Sequence, residues 1–167
     1  MRRSLILTVA VLSIASTALA ASNHTVTLPS VFKVQLAKLH AKGIGPILLP
    51  QTLTSEARKV YPTLFTVGHG YVLDLGAAKG CRGANACFVA EFSASRRKPF
   101  GPTRVTLAHG IIGHFKPLSC GGSCSPPSIE FVQSGFTYSI QANVGTEKTE
   151  KAILVSMANS AIEHGAR

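Results

Sequence analysis

Apolar and polar residues alternate in six short runs after Tyr61 and up to about residue 142. Each run places apolar residues on one face of a strand and polar residues on the other, which is typical of an antiparallel sheet covered on one side. Turn signals at 68–70, 109–110 and 134–135 separate adjacent runs, as hairpins require. The pattern predicts an up-and-down meander, with strands over residues 71–77, 87–94, 103–108 and 111–117 and two further runs over 128–131 and 136–141.

Two helices are predicted to cover the apolar face of this sheet. The first follows Ser30 as its cap and occupies residues 31–42. The second occupies about residues 147–163, and its apolar stripe is typical of a helix with one buried side. The predicted fold class is therefore α+β, an antiparallel β-meander packed on one face by the C-terminal helix and by the N-terminal helix.

Three shorter segments complete the pattern. Residues 21–29 are predicted to form a flexible arm. Residues 46–50 read as an extended piece at an edge or in a loop, because Pro50 has no backbone donor. Residues 54–60 predict one helical turn. The chain has no internal repeat, low-complexity stretch or linker, which predicts a single domain over residues 21–167.

The first twenty residues have the three parts of an export signal. Arg2 and Arg3 form a positive start, an apolar stretch follows, and residues 18–20 (Ala-Leu-Ala) form a small-residue cleavage site. No later segment approaches the ~20 apolar residues of a spanning helix, so no transmembrane anchor is predicted in the mature chain. The expected location is the periplasm or the extracellular medium.

The four cysteines form two close pairs in Gly-rich loops, Cys81 with Cys87 and Cys120 with Cys124. An oxidising compartment favours disulfides over reactive thiols. The meander places the two loops at opposite ends of the sheet, ~20 Å apart along a six-residue strand. A disulfide needs Cα atoms within ~7 Å, so each cysteine is predicted to pair with its near neighbour.

A zinc site is the alternative for the cysteines, with His109, His114, Cys120 and Cys124 as ligands. Their spacing matches no common zinc finger, and the two histidines lie on opposite faces of a strand because their numbers differ by an odd number. Two disulfides are therefore favoured, and no metal and no cofactor is predicted.

The excess of basic over acidic residues indicates what kind of partner the protein binds. The chain carries 17 basic and 7 acidic residues, a net charge of +10 that becomes +8 once Arg2 and Arg3 leave with the export signal. Such a balance favours an anionic envelope glycan or lipid head groups, although it also serves solubility alone. Nucleic acid is the least favoured partner, because export removes the chain from it.

One predicted loop concentrates this charge. Arg96, Arg97 and Lys98 share an end of the meander with the backbone amides of Gly121 and Gly122. A rigid glycine-rich loop beside three cations fits a phosphate or carboxylate ligand, which makes these five residues the predicted ligand-binding site. The alternative is a solvated hairpin tip.

No catalytic residue is assigned. The serines near Cys124 do not form a nucleophile elbow, and Asp74 is the single aspartate of the chain. Glu91 and Glu130, both predicted on the polar face, are the only pair suited to a carboxylate-based hydrolase. That open polar face is also a candidate surface for a glycan or a partner protein.

Several segments together resemble a family of short exported bacterial proteins. They are 46–50 (PILLP), 81–88 (CRGANACF), 110–115 (GIIGHF), 120–130 (CGGSCSPPSIE) and 157–162 (MANSAI). The C-terminal half also distantly resembles extracytoplasmic domains of bacterial anti-sigma factors. The resemblance implies an α+β module with a sensing or binding role, and no catalytic residues.

These observations predict a soluble exported protein that binds an anionic or glycan partner, or associates with the envelope, without catalysis. The alternative is a hydrolase acting on a cell-envelope polymer.

Overall fold

The computed structural model describes residues 23–167, so the predicted export signal lies outside the described residues. No helix among the described residues is long and apolar enough to cross a membrane. The elements in chain order are β1 (His24–Thr27), α1 (Leu28–Val31), α2 (Lys33–Ala41), β2 (Thr52–Ser55), β3 (Tyr61–Val67), β4 (Gly70–Gly76), β5 (Phe88–Ser95), β6 (Thr103–Thr106), β7 (Ile112–Lys116), β8 (Ser119–Cys120), β9 (Cys124–Ser125), β10 (Ser128–Gln133), β11 (Phe136–Ala142) and α3 (Glu150–His164).

Seven strands form one antiparallel sheet in the order β3-β4-β5-β11-β10-β7-β6. The α+β class is confirmed, but the simple meander is wrong, because β5 pairs with β11 and not with β6. Alternation is a local signal that identifies strands and faces. It carries no information on which strand pairs with which across forty residues.

The connection from β5 to β6 crosses the polar face of the sheet. Because neighbouring strands alternate in direction, β5 and β6 run the same way, and residues 96–102 must return along the sheet between them. We call residues 96–102 the strap. Thr137 on β11 donates a hydrogen bond to the Arg97 carbonyl, and the Gly101 backbone packs against His114 on β7. The strap therefore covers one half of the face that was expected to be open.

The apolar face is covered as the sequence predicts. The buried residues of α3 lie in one cluster with those of the central strands, and α2 adds Leu36 and Leu39 to it. Phe32, between α1 and α2, meets Phe92 of β5 edge to face, with ring centroids 6.0 Å apart. The α3 residues buried in this cluster are Leu154, Met157, Ala158, Ala161 and Ile162.

The predicted arm over residues 21–29 is a strand followed by the start of a helix where the structure describes it, and no helical turn forms over 54–60, where a strand ends at Ser55 and irregular backbone follows. His24–Thr27 pairs with Thr52–Ser55, and the helix expected to begin after Ser30 already begins at Leu28. Val26 and Leu53 pack on the core from this ribbon, so two short segments gain burial that neither has alone. The helix breaks at Phe32, which has a non-helical backbone conformation.

Residues 46–50 are a loop, as expected, but a buried one. The Tyr71 hydroxyl donates to the Leu48 carbonyl at 3.3 Å, and the Tyr138 hydroxyl donates to the Pro46 carbonyl at 2.9 Å. Burial raises the pKa of Tyr138 to about 12. Residues 46–50 pair with no neighbouring strand, so their backbone carbonyls need other donors. The two tyrosine hydroxyls supply them, and the segment can therefore be buried in the core.

Candidate functional site

Both disulfides form as predicted, Cys81–Cys87 with Cα atoms 5.8 Å apart and Cys120–Cys124 with Cα atoms 4.0 Å apart. The expectation that they lie at opposite ends of the sheet is wrong. β4 and β7 run in the same direction, so both loops project from the same end. The Asn85 side chain donates to the Cys124 carbonyl at 2.9 Å and joins them. No thiol of the described residues is left for a zinc ion.

The predicted ligand-binding set is not assembled. Arg96, Arg97 and Lys98 begin the strap where β5 ends, whereas Gly121 and Gly122 lie in the turn between β8 and β9 at the opposite end of the sheet. The prediction relied on a hairpin between β5 and β6, and the crossover removes it. The Arg96 guanidinium instead lies over the Phe136 ring, 5.2 Å from its centroid, and Lys98 is exposed.

Arg97 forms a bidentate ion pair with Glu130 on β10. Its Nη1 donates to one carboxylate oxygen at 2.8 Å and its Nη2 donates to the other. The backbone N–H of Phe100 also donates to this carboxylate, at 2.6 Å. The bond to Glu130 raises the pKa of Arg97 further. Glu130, only 6% exposed, therefore anchors the strap to the sheet.

A different pair of acids lies on the half of the polar face that the strap leaves uncovered. Asp74 on β4 stands directly opposite Glu91 on β5, and Gln141 on β11 continues the row. Asp74 is 2% exposed, and neither of its carboxylate oxygens accepts a hydrogen bond of normal geometry from the described residues. Directly opposed side chains on neighbouring strands have Cβ atoms ~5 Å apart, so the two carboxyl groups interact.

Burial raises the pKa of both acids. For Asp74 the backbone of Gly83, in the first disulfide loop, opposes the shift. For Glu91 the neighbouring charge of Asp74 adds to the shift and the Ser93 hydroxyl opposes it. Asp74 was not a candidate from the sequence, although a signal was present: both acids fall on the polar face of consecutive predicted strands.

The distribution of charge is uneven across the molecule. Of the seven acids, Asp74, Glu130 and Glu150 are buried and Glu91 is half-buried. Glu150 accepts the backbone N–H of Leu118 at 3.2 Å. All lysines and arginines of the described residues are exposed except Lys116 and Arg167, which are half-buried. The outer surface is therefore more basic than the composition indicates.

A groove of about 560 Å³ lies between α2 and the edge strand β3. At one end Gln35 Nε2 donates to the Pro62 carbonyl at 3.2 Å, and at the other Lys42 Nζ meets Thr66 Oγ1 at 3.5 Å. Sequence reasoning missed this groove, because more than twenty residues separate its two walls. Its lining consists of Gln35, Lys38, Ala41, Lys42, Pro62, Thr63, Leu64 and Thr66.

Comparison of the chain with protein-family models, with curated proteins and with solved structures finds no match.

Proposed function

We propose that the chain is an exported, non-enzymatic protein that binds an anionic partner of the cell envelope, either a polyanionic glycan or lipid head groups. The observation that carries this proposal is the separation of charge between interior and surface. Four of the seven acids are buried or half-buried, while nearly all cations of the described residues are exposed. Export is supported by the two disulfides and by the pattern of the first twenty residues.

A surface of this kind attracts polyanions at long range. The attraction does not require one shaped cleft, because many weakly screened cations act together over roughly 8–10 Å at physiological salt. Three acids of the described residues are exposed and reduce this attraction: Glu56, Glu147 and Glu163. Affinity then depends on the charge density of the partner more than on its sequence or stereochemistry.

The test compares partners that differ in charge alone. The protein from Ala21 onward, with disulfides intact, is mixed with vesicles of zwitterionic lipid and with vesicles containing 30% anionic lipid, and also with a polysaccharide in its carboxylated and carboxyl-reduced forms. We expect binding to the anionic member of at least one pair and no binding to the neutral members. Equal binding within both pairs, or none at all, contradicts the proposal.

A second candidate function is hydrolysis of an envelope polymer, and the pair of Asp74 and Glu91 favours it. Glu130, the partner first considered for Glu91, is held by Arg97, so Asp74 takes its place. Two adjacent carboxyl groups, at least one with a raised pKa, are the arrangement that glycosidases use for general acid and nucleophile.

The second candidate is separated from the first by turnover. Release of reducing ends from envelope polysaccharide is measured for the wild type and for the variants Glu91→Gln and Asp74→Asn, with Glu163→Gln as an exposed control. Release by the wild type and the control, with a loss of more than 100-fold in the two variants, supports hydrolysis. Tight binding without release supports the first proposal.

A further inference from the structure

We infer that the groove between α2 and β3 is a binding site for a phosphate group. This inference rests on the proposed function, because it names the part of the cationic surface that recognises one anionic group of the partner. The groove is lined by two lysines and two threonines, and no acidic side chain lines it.

The backbone of β3 contributes donors to the groove. β3 is an edge strand, so alternate residues direct both N–H and C=O away from the sheet. The Pro62 carbonyl faces the helix, because it accepts the Gln35 amide. Residues of the same parity share this direction, so the N–H groups of Leu64 and Thr66 also point toward α2. Pro62 itself has no N–H to lose at this position.

The helix contributes the charge. Lys42 directly follows α2 and keeps a helical backbone conformation, and it comes four residues after Lys38, so both side chains lie on the same side of the helix. Lys42 holds Thr66 only through a long contact of 3.5 Å between Nζ and Oγ1. A phosphate oxygen is a stronger acceptor for an ammonium group than a hydroxyl, and it would replace this contact. Two ammonium groups, two backbone N–H groups and the Thr66 hydroxyl are the donors that the groove offers to an oxyanion.

The contacts at the two ends of the groove favour a compact ligand over an extended chain. Gln35 to Pro62 and Lys42 to Thr66 both span the space between helix and strand. A peptide adding to the edge of β3 would have to break the Gln35–Pro62 bridge as well as the Lys42–Thr66 contact, whereas a single phosphate displaces only the longer Lys42–Thr66 contact. The volume of about 560 Å³ lies in the ordinary range of small-molecule sites.

The experiment follows backbone amides by NMR in the ¹⁵N-labelled, disulfide-intact protein from Ala21 onward. Glycerol phosphate is the probe and glycerol is the neutral control. We expect saturable shifts of the Leu64 and Thr66 amides with glycerol phosphate and none with glycerol. Equal shifts with glycerol, or glycerol phosphate shifts confined to other parts of the molecule, overturn the inference.

A pair of double variants separates the groove from general surface charge. Lys38→Ala with Lys42→Ala removes two charges in the groove, and Lys148→Ala with Lys151→Ala removes two exposed charges near the start of α3. We expect the first to weaken binding of glycerol phosphate at least tenfold and the second less than twofold, with unchanged thermal unfolding for both. Equal losses of affinity in the two double variants overturn the inference about the groove but leave the proposed function in place.

The source of the phosphate is distinguished by two further arms. One uses vesicles containing phosphatidylglycerol, and the other uses a soluble glycerol phosphate polymer. Binding to either, displaced by free glycerol phosphate and weakened in the groove variant, supports the site and identifies its source. Anionic binding that free glycerol phosphate does not displace overturns the inference, whereas absence of binding to every anionic probe at low salt overturns the proposed function as well.

Discussion

Glu130 and Asp74 are both buried acids on the polar face of the sheet, and their surroundings are opposite. Glu130 accepts three N–H groups, two from Arg97 and one from Phe100. Asp74 accepts no hydrogen bond of normal geometry from the described residues. The Gly83 backbone, in the disulfide loop above it, lowers its pKa but does not cancel the rise caused by burial. The difference comes from what covers each half of the face: a strap that carries an arginine over one acid, and a disulfide loop over the other.

The comparison shows that burial of an acid has two different consequences. A carboxylate that is fully hydrogen-bonded by a cation and a backbone amide becomes a structural anchor, because removing a donor leaves a charge buried without compensation. A carboxyl group that is buried without such donors is more stable when protonated, which leaves it available for proton transfer or for a ligand.

The largest effect is expected from Arg97→Ala. Loss of the guanidinium leaves Glu130 buried with one donor, and the free energy of unfolding should fall by about 2 kcal/mol, less than for a fully buried ion pair because Arg97 is half exposed. Urea unfolding measures it. The adjacent Arg96→Ala, which removes a contact with an aromatic ring, should cost less than about 1 kcal/mol. Equal costs for the two variants would show that the ion pair does not anchor the strap.

A smaller effect of opposite sign is expected from Asp74→Asn. The amide removes a buried charge that has little compensation, so the free energy of unfolding at pH 7 should rise by about 1 kcal/mol. The exposed Glu163→Gln serves as control and should change it by less than about 0.5 kcal/mol. A clear loss of stability in Asp74→Asn would mean that the carboxylate has a partner that compensates its charge.

The pH dependence of stability should differ between the same two proteins. Because the folded-state pKa of Asp74 and of Glu91 is raised, their protons are held more tightly in the folded state than in the unfolded state. Their contribution is fully present below the ordinary carboxyl pKa of about 4 and is lost as pH rises through the raised values.

The wild type is compared with Asp74→Asn by urea unfolding at closely spaced pH values. The stability difference between the two, Asn minus wild type, should grow as pH rises from about 4, where the carboxyl groups begin to ionise. Both proteins share the remaining carboxylates, which stabilise the fold more as pH rises. Subtracting one curve of unfolding free energy against pH from the other removes that shared contribution. A difference that shrinks with rising pH would mean that the pKa of Asp74 is lowered in the folded protein.

The sequence predicted what depends on local patterns. Alternation assigned Asp74, Glu91 and Glu130 to one face, and the apolar stripe of α3 to the other, and the structure agrees. The local disulfides were also correct, although the topology used to argue for them was wrong. Neighbouring cysteines pair locally whichever end of the sheet they occupy.

The sequence did not predict what depends on distant pairing. No residue near Ser95 indicates that β5 will pair with β11. The strap and its contact with Glu130 therefore could not be predicted from the sequence. The groove between α2 and β3 was missed for the same reason, since no local pattern places β3 beside Lys38 and Lys42. In both cases a residue gains its role from a partner far away in sequence.

The claim that matters most is that the exposed cations bind an anionic partner, and the salt dependence of affinity tests it most directly. The dissociation constant for an anionic glycan or anionic vesicles is measured between about 50 and 300 mM salt. We predict that the logarithm of affinity falls linearly with the logarithm of salt concentration, as release of counterions from a polyanion requires. An affinity that does not change across this range would contradict the account.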